Sequence, residues 1–168
     1  APGRGVKPLL TRTSGPPSIA RITTIARLPV TGYLVYSRAL ATVGVHSMLV
    51  RSHAALERGR GAEAAQLIGP MLRTGSLTRA DELAVRSVLA EAWLLQDDLA
   101  QAAATLGRPP DSLREPISDA QLSTLWRLHG RITYARGEQS RAIALHSRAL
   151  KHADLAHDSR AIGLAHYE

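Results

Sequence analysis

The stretch LSTLWRLHGRITYARGEQSRAIALHSRALKHADL, Leu122 to Leu155, decides the fold. Its apolar residues recur at three- and four-residue steps through Leu122, Leu125, Trp126, Leu128 and Ile132. They stop at Arg136-Gly137-Glu138 and resume through Ala142, Ile143, Leu145, Ala149 and Leu150. That period places each set on one stripe of an α-helix, so the segment reads as two amphipathic helices joined by a tight turn.

One helix pair cannot bury its own apolar face, so the reading requires further copies. Upstream, Leu89, Ala90, Trp93, Ala102 and Leu106 repeat the pattern, with Asp97-Asp98 in place of the turn glycine. A weaker copy has Gly59, Glu63, Ala64 and Met71 after the run Ala41 to Leu56. The small residues Ala64, Ala102 and Ala142 then stand 38 and 40 residues apart.

In the third copy Trp126, Gly130, Gly137, Ala142 and Ala149 fall at the spacing of the tetratricopeptide repeat (TPR), and the segment resembles that family. The resemblance covers roughly residues 41 to 168. It implies an all-α fold, a right-handed α-solenoid of antiparallel helix pairs with about three repeats and a truncated fourth. The steps exceed the family's usual period of about 34 residues, so the connecting turns are expected to carry the excess. We expect residues 18–168 to form the TPR-like helical repeat domain, clearest from 78 onward. Residues 1–17, rich in Gly, Pro, Arg and Lys, are expected to be a flexible basic arm or linker. Ser18 to Leu28 is compatible with a short helix, and residues 1–40, free of acids, have some character of a targeting segment.

Composition agrees with a helical class. Phenylalanine is absent and aromatics make up 4% of the chain, so the interior must be filled by close helix approach through Ala and Leu. Without cysteine there are no disulfides and no thiolate chemistry. The net charge of +7 is uneven: residues 1–60 hold nine Lys or Arg against Glu57, and residues 61–168 hold twelve against thirteen acids. Nineteen of the 21 basic residues are arginine, which we read as compositional bias alongside the alanine richness. The chain stops inside an apolar run at Ile162, Leu164 and Ala165, and we expect it to be a fragment of a longer protein.

Start and stop signals place the helices. Thr78 with Asp81 and Ser118 with Gln121 have capping-box spacing, and Gly107 followed by Pro109 and Pro110 is a stop. Helices are expected at about 40–57, 61–74, 78–96, 98–107, 119–136, 139–156 and 159–168, with Asp111 to Pro116 in a surface loop. The run Leu28 to Val50 is the most apolar, but Arg38 and His46 lie inside it and Pro29, Gly32 and Gly44 interrupt it. A central arginine costs about 2.5 to 3.5 kcal/mol on insertion, so the run is read as buried helix and no membrane span is expected.

In the repeat family the first helix of each pair lines a concave groove. Carried onto the clear copy, that face holds Thr124, Arg127, Arg131 and Tyr134. On the second copy it carries Ala84, Ser87, Glu91 and Leu94, and on the first His46, Leu49, His53 and Leu56. Arg127 and Arg131 are four apart and project from one stripe, so their guanidinium forks could receive a carboxylate or phosphate. The asparagines with which related proteins complete such a clamp are missing. Reversing both arginines to glutamate is expected to remove acidic-peptide binding while leaving the melting transition nearly unchanged.

Other chemistry is not expected. His152, Asp154, His157 and Asp158 invite a metal reading, but His152 and His157 are five apart, about 500° around a helix, and point away from each other. We read them as solvated and expect no metal and no cofactor. There is no phosphate-loop lysine, no Gly-x-Ser-x-Gly, and the pairs Asp81-Glu82 and Asp97-Asp98 stand at helix starts where the dipole explains them. No catalytic residue is assigned, and the chain is not expected to be an enzyme.

The resemblance therefore implies a protein–protein interaction scaffold, binding a peptide or protein segment in the groove. A partner with an acidic group or carboxylate is the form the arginine pair suggests. The alternative is the sensor or oligomerisation repeat region of a larger transcriptional or signal-transduction regulator, because the forty-residue step and RALKHADLAHDSRAIGLAHYE resemble the repeat arrays of such bacterial proteins. Nucleic-acid binding by the basic head lacks interleaved aromatics and is not expected. A cytoplasmic location is expected, and oligomerisation is left open.

Overall fold

A computed structural model describes residues 30–75, 77–112 and 116–167 of the chain, with side chains from residue 44 to 166. The expected arm at 1–17, the short helix at Ser18 to Leu28 and part of the Asp111 to Pro116 loop lie outside the described residues. Among the described residues the structure is all-helical: α1 (Val30–Glu57), α2 (Gly61–Ile68), α3 (Arg79–Leu94), α4 (Leu99–Leu106), α5 (Asp119–Ala135), α6 (Gln139–Leu155) and α7 (Ser159–Tyr167), with 3-10 turns at Gly69–Arg73 and Pro110–Ser112. Leu40–Glu168 forms one compact unit, which holds α2 to α7 and the greater part of α1; Ala1–Ala39 is a separate unit in which only the start of α1 is described. No helix among the described residues is long and apolar enough to cross a membrane.

The local signals act as their chemistry requires. Thr78 Oγ1 accepts a hydrogen bond from the Asp81 amide at 3.1 Å, and Ser118 Oγ accepts from the Gln121 amide at 3.3 Å, each satisfying an orphan donor of a first turn. Asp98 does the same for Gln101 at 2.9 Å, and Asp158 for Ala161 at 3.0 Å. In the first turn of α3, burial works against ionisation of Glu82, but hydrogen bonds from Arg86 and Arg79 outweigh it and hold the carboxyl below its ordinary range.

One turn recurs four times. At the end of α5 the Gly137 amide donates to the Tyr134 carbonyl at 2.8 Å and the Glu138 amide to the Thr133 carbonyl at 3.2 Å. This is the Schellman pattern, which needs a residue of positive φ at its centre. Gly137 supplies it at φ 84, and Gly59, Asp97 and His157 occupy the same place after α1, α3 and α6 at φ 71, 61 and 52. Glycine adopts that conformation without steric cost, while aspartate is one of the few other residues to tolerate it. Asp97-Asp98 thus replaces the turn glycine because its first residue takes the left-handed position and its second caps the next helix.

These tight turns make the helices they join antiparallel. Asp119 Oδ1 at the start of α5 lies 2.7 Å from His152 Nδ1 near the end of α6, and Gly130 sits against His146 further along. A Cβ on Gly130 would come within 2.6 Å of the His146 ring, so the absent side chain is what lets α6 approach. Helices α3 and α5 run alongside each other in the same direction: Gln121 Nε2 donates to the Ala80 carbonyl at 3.1 Å, and Arg131 meets Glu91 at 3.1 Å. Helices α3, α5 and α7 begin at residues 79, 119 and 159, forty apart.

Two expected boundaries need correction. Helix α1 starts at Val30, ten residues before the expected 40; Pro29 stands just before that first turn, where a proline is tolerated, and Gly32 and Gly44 do not break the helix. Helix α2 ends at Ile68 rather than 74 and continues only as the 3-10 turn Gly69–Arg73. Pro70 has no amide to give the ladder, and its ring collides with the carbonyl four residues back. In the next hairpin Gly107, at φ 77, with Pro109 and Pro110 stops α4 after eight residues, whereas α6 meets no such signal and runs for 17. The connectors at 69–78 and 107–118 therefore absorb much of the forty-residue step.

The interior is built from small residues, as the missing phenylalanine demands. Ala64, Ala102 and Ala142 are 0%, 0% and 1% exposed, each where one helix presses on its neighbour. Leu83, Ala90, Ala102, Leu106, Leu125, Leu128 and Ile132 join α3, α4 and α5, while Val45, Ile68, Val85, Val88 and Leu89 join α1, α2 and α3. Trp126 is buried at 3% exposure, with the Arg148 guanidinium 4.9 Å above its ring.

Candidate functional site

Four helix faces meet in one cavity of about 520 Å³. Helix α1 contributes His53, Leu56 and Glu57; α3 contributes Leu83, Ala84, Ser87, Val88 and Glu91, with Leu95 just beyond it. Helix α5 adds one stripe of its first half, from Ala120 through Gln121, Thr124 and Leu125 to Arg127. Helix α7 and its cap add Asp158, Arg160, Ala161 and Leu164. Because α3, α5 and α7 start forty residues apart, equivalent positions face the same space: Ala84, Thr124 and Leu164 are each one step on from the last.

Of the residues expected on this face, His53, Leu56, Ala84, Ser87, Glu91, Thr124 and Arg127 line the cavity. Arg131 is not part of its wall but reaches Glu91 from behind. Leu94 does not line this cavity and packs against the core cluster of α3, α4 and α5. Tyr134, 61% exposed, and His46, also exposed, lie outside the cavity wall. Glu57 and the α7 residues were missed. The signal for Leu164 was present in the sequence as the next step after Ala84 and Thr124, whereas Glu57 stands one turn beyond His53 on α1.

Several polar groups of the wall are bonded within the protein. Arg127, only 7% exposed, directs Nη1 to Glu91 Oε1 and Nη2 to both Glu91 oxygens, all at 3.4 Å. Arg131 Nη1 donates to the same Oε1 at 3.1 Å. The two forks thus converge on an acid of the neighbouring helix, one carboxylate between two guanidinium groups, instead of standing open for a ligand. Glu91 and Arg131 are equivalent positions forty residues apart, which is why they meet. The hydroxyl protons of Ser87 and Thr124 go to carbonyls one turn back, Leu83 at 2.8 Å and Ala120 at 3.1 Å. At the rim Arg160 Nη2 donates to Glu57 Oε1 at 2.7 Å, joining α7 to α1.

On the other side of α5, His129 borders a smaller cavity of about 190 Å³ with Gly107, Pro109, Arg136 and Arg141. Burial pushes its imidazole below the ordinary value of 6.5; a hydrogen bond with the Arg108 backbone opposes this, and the Arg141 charge adds to it. Its buried Nε2 has no hydrogen-bond partner among the described residues, so a proton added there would find no acceptor. Because the folded value is depressed, the contribution is present above the unfolded value near 6.5 and is lost as the pH falls below it toward the folded value. Urea denaturation at pH 7.5 and 5.5 should therefore show a loss of stability on acidification that shrinks in His129→Gln, and equal losses in the two proteins would remove His129 as the source.

Among the described residues no group of three or more acids and histidines converges as a metal site. Comparison of the chain with protein-family models, with curated proteins and with solved structures returned no match.

Proposed function

We propose that this chain is a TPR-like helical-repeat scaffold that holds a segment of a partner protein in the cavity between α1, α3, α5 and α7. The reading is supported by one observation: helices α3, α5 and α7, whose starts lie forty residues apart, line a single cavity with equivalent positions, and Arg160 joins Glu57 of α1 at its rim. A volume of about 520 Å³ lies within the range of ligand pockets, about 300 to 1,000 Å³, and suits a few side chains of a partner more than a long strand. Aliphatic and polar residues share the wall about equally, so burial can supply affinity and hydrogen bonds orientation.

Ala84 offers a test because it is half-buried, lines the cavity and is not part of the hydrophobic core clusters. Ala84→Phe would place a ring in the space with little disturbance of the helix packing behind it. Peptides selected from a random displayed library on the wild-type protein should bind Ala84→Phe at least about tenfold more weakly, a loss of about 1.4 kcal/mol, at a nearly unchanged melting temperature. Equal binding by the two proteins would remove the cavity from consideration.

A further inference from the structure

The sequence suggests an acidic partner, but the hydrogen bonds of the cavity point the other way. Several donors in its wall are already used. The protons of Ser87 and Thr124 are held by carbonyls of their own helices, and the Gln121 amide donates to Ala80 at 3.1 Å. Arg127 is directed at Glu91, and Arg160 gives Nη2 to Glu57. Acceptors remain as well, and at the rim they belong to two carboxylates, Glu57 and Asp158, beside one guanidinium, Arg160. Ser87 and Thr124 keep oxygen lone pairs, and a carboxylate has about four acceptor sites on its two oxygens. Glu57 uses Oε1 for Arg160 and Asp158 uses Oδ1 for the Ala161 amide, while Glu57 Oε2 and Asp158 Oδ2 accept nothing from the described residues. Three acids, Glu57, Glu91 and Asp158, line the space against two arginines. Arg131 compensates Glu91 from behind, so the surplus that matters is one of acceptors at the Glu57 and Asp158 rim.

Given the reading of this cavity as a binding site, we propose that the segment it receives is basic and apolar: an aliphatic or aromatic group against Leu83, Leu125 and Leu164, with an ammonium or guanidinium group at the rim carboxylates. A cation there would find the acceptors that the two rim carboxylates leave over, whereas an anion would meet those two carboxylates against the single guanidinium of Arg160. The apolar body supplies the burial and the cation the orientation.

The probe for this is dansylcadaverine, a naphthalene sulfonamide with a pentylammonium tail, compared with its N-acetylated neutral form and with the anion anilinonaphthalene sulfonate. Fluorescence titration of the whole chain should show the ammonium form binding about tenfold more tightly than the acetylated one, the size of one charge-assisted hydrogen bond. Glu57→Gln combined with Asp158→Asn keeps the shape of both side chains and the helix cap, and should abolish that difference. Ala84→Phe should remove binding of every form. Overturning results would be tighter binding of the anion, an unchanged difference in the double variant, or no saturable binding of the cation at millimolar concentration. If any of these occurs while Ala84→Phe still blocks the selected peptides, only the charge of the partner has been misassigned. If Ala84→Phe affects no ligand at all, the cavity itself fails as a site.

Discussion

Trp126→Ala is expected to lower the stability of the folded chain by about 3 to 5 kcal/mol, the cost of deleting a large buried aromatic and leaving a hole. The indole is 3% exposed in the middle of α5, and it is the support on which α6 and the 107–118 connector rest. Arg148 of α6 lies 4.9 Å over the ring while bonding Asp111 at 2.7 Å, so one arginine ties the connector to the hairpin across the tryptophan face. Truncation removes the ring's burial and the cation–π contact together, and alanine cannot refill the space. For a chain of this size the loss should shift the melting midpoint by roughly 10 °C. Trp93 then becomes the remaining tryptophan and can report urea unfolding by fluorescence. A change below about 1 kcal/mol, the ordinary effect of a surface substitution, would contradict the burial of the indole between α5, α6 and the connector.

Glu91→Gln should be the next largest effect, about 2 to 3 kcal/mol. Removing one partner of a fully buried ion pair costs about 3 to 5 kcal/mol because a charge is left without compensation. Here Arg127 is 8% exposed at its side chain, but Glu91 and Arg131 keep 23% and 28%, so water offsets part of the loss. Glutamine retains the shape and one acceptor while leaving two guanidinium groups facing each other. Adding Arg127→Met should recover at least half of the loss, since an apolar replacement of a buried pair is often neutral. A double variant no more stable than Glu91→Gln alone would mean that Arg127 acts through other contacts. The same geometry revises the expectation that Arg127 and Arg131 can be reversed to glutamate without touching stability. In that variant three carboxylates would crowd a space in which Arg127 is now buried, and weaker binding would report unfolding as well as recognition.

The helices and their ends could be read from the chain because the groups that make them are neighbours in sequence. Thr78 and Asp81, Ser118 and Gln121, and Gly107 with Pro109 and Pro110 act within four residues of backbone, where amide and carbonyl geometry depends little on the rest of the molecule. Burial of Trp126, Ala102 and Ala142 was equally legible, since a 3.6-residue period leaves one stripe to face a neighbour. The start of α1 and the end of α2 were placed less well, because a glycine is only weakly unfavourable inside a helix and need not end it, whereas a proline does.

What only the tertiary structure decided is the state of the side chains on the inner face. That Arg127 and Arg131 share a stripe follows from their spacing; that both close on Glu91 depends on α3 lying beside α5 one forty-residue step away. Leu94 left the cavity for the core, and Glu57 entered it to meet Arg160 from 103 residues further along, by the same cause. Periodicity determines which residues lie together on one helix, but hydrogen-bond and ionic partners are chosen across helices, over distances that the linear order does not encode. The chain by itself therefore specified the rods and their buried stripes, and their mutual placement settled which charges pair across helices.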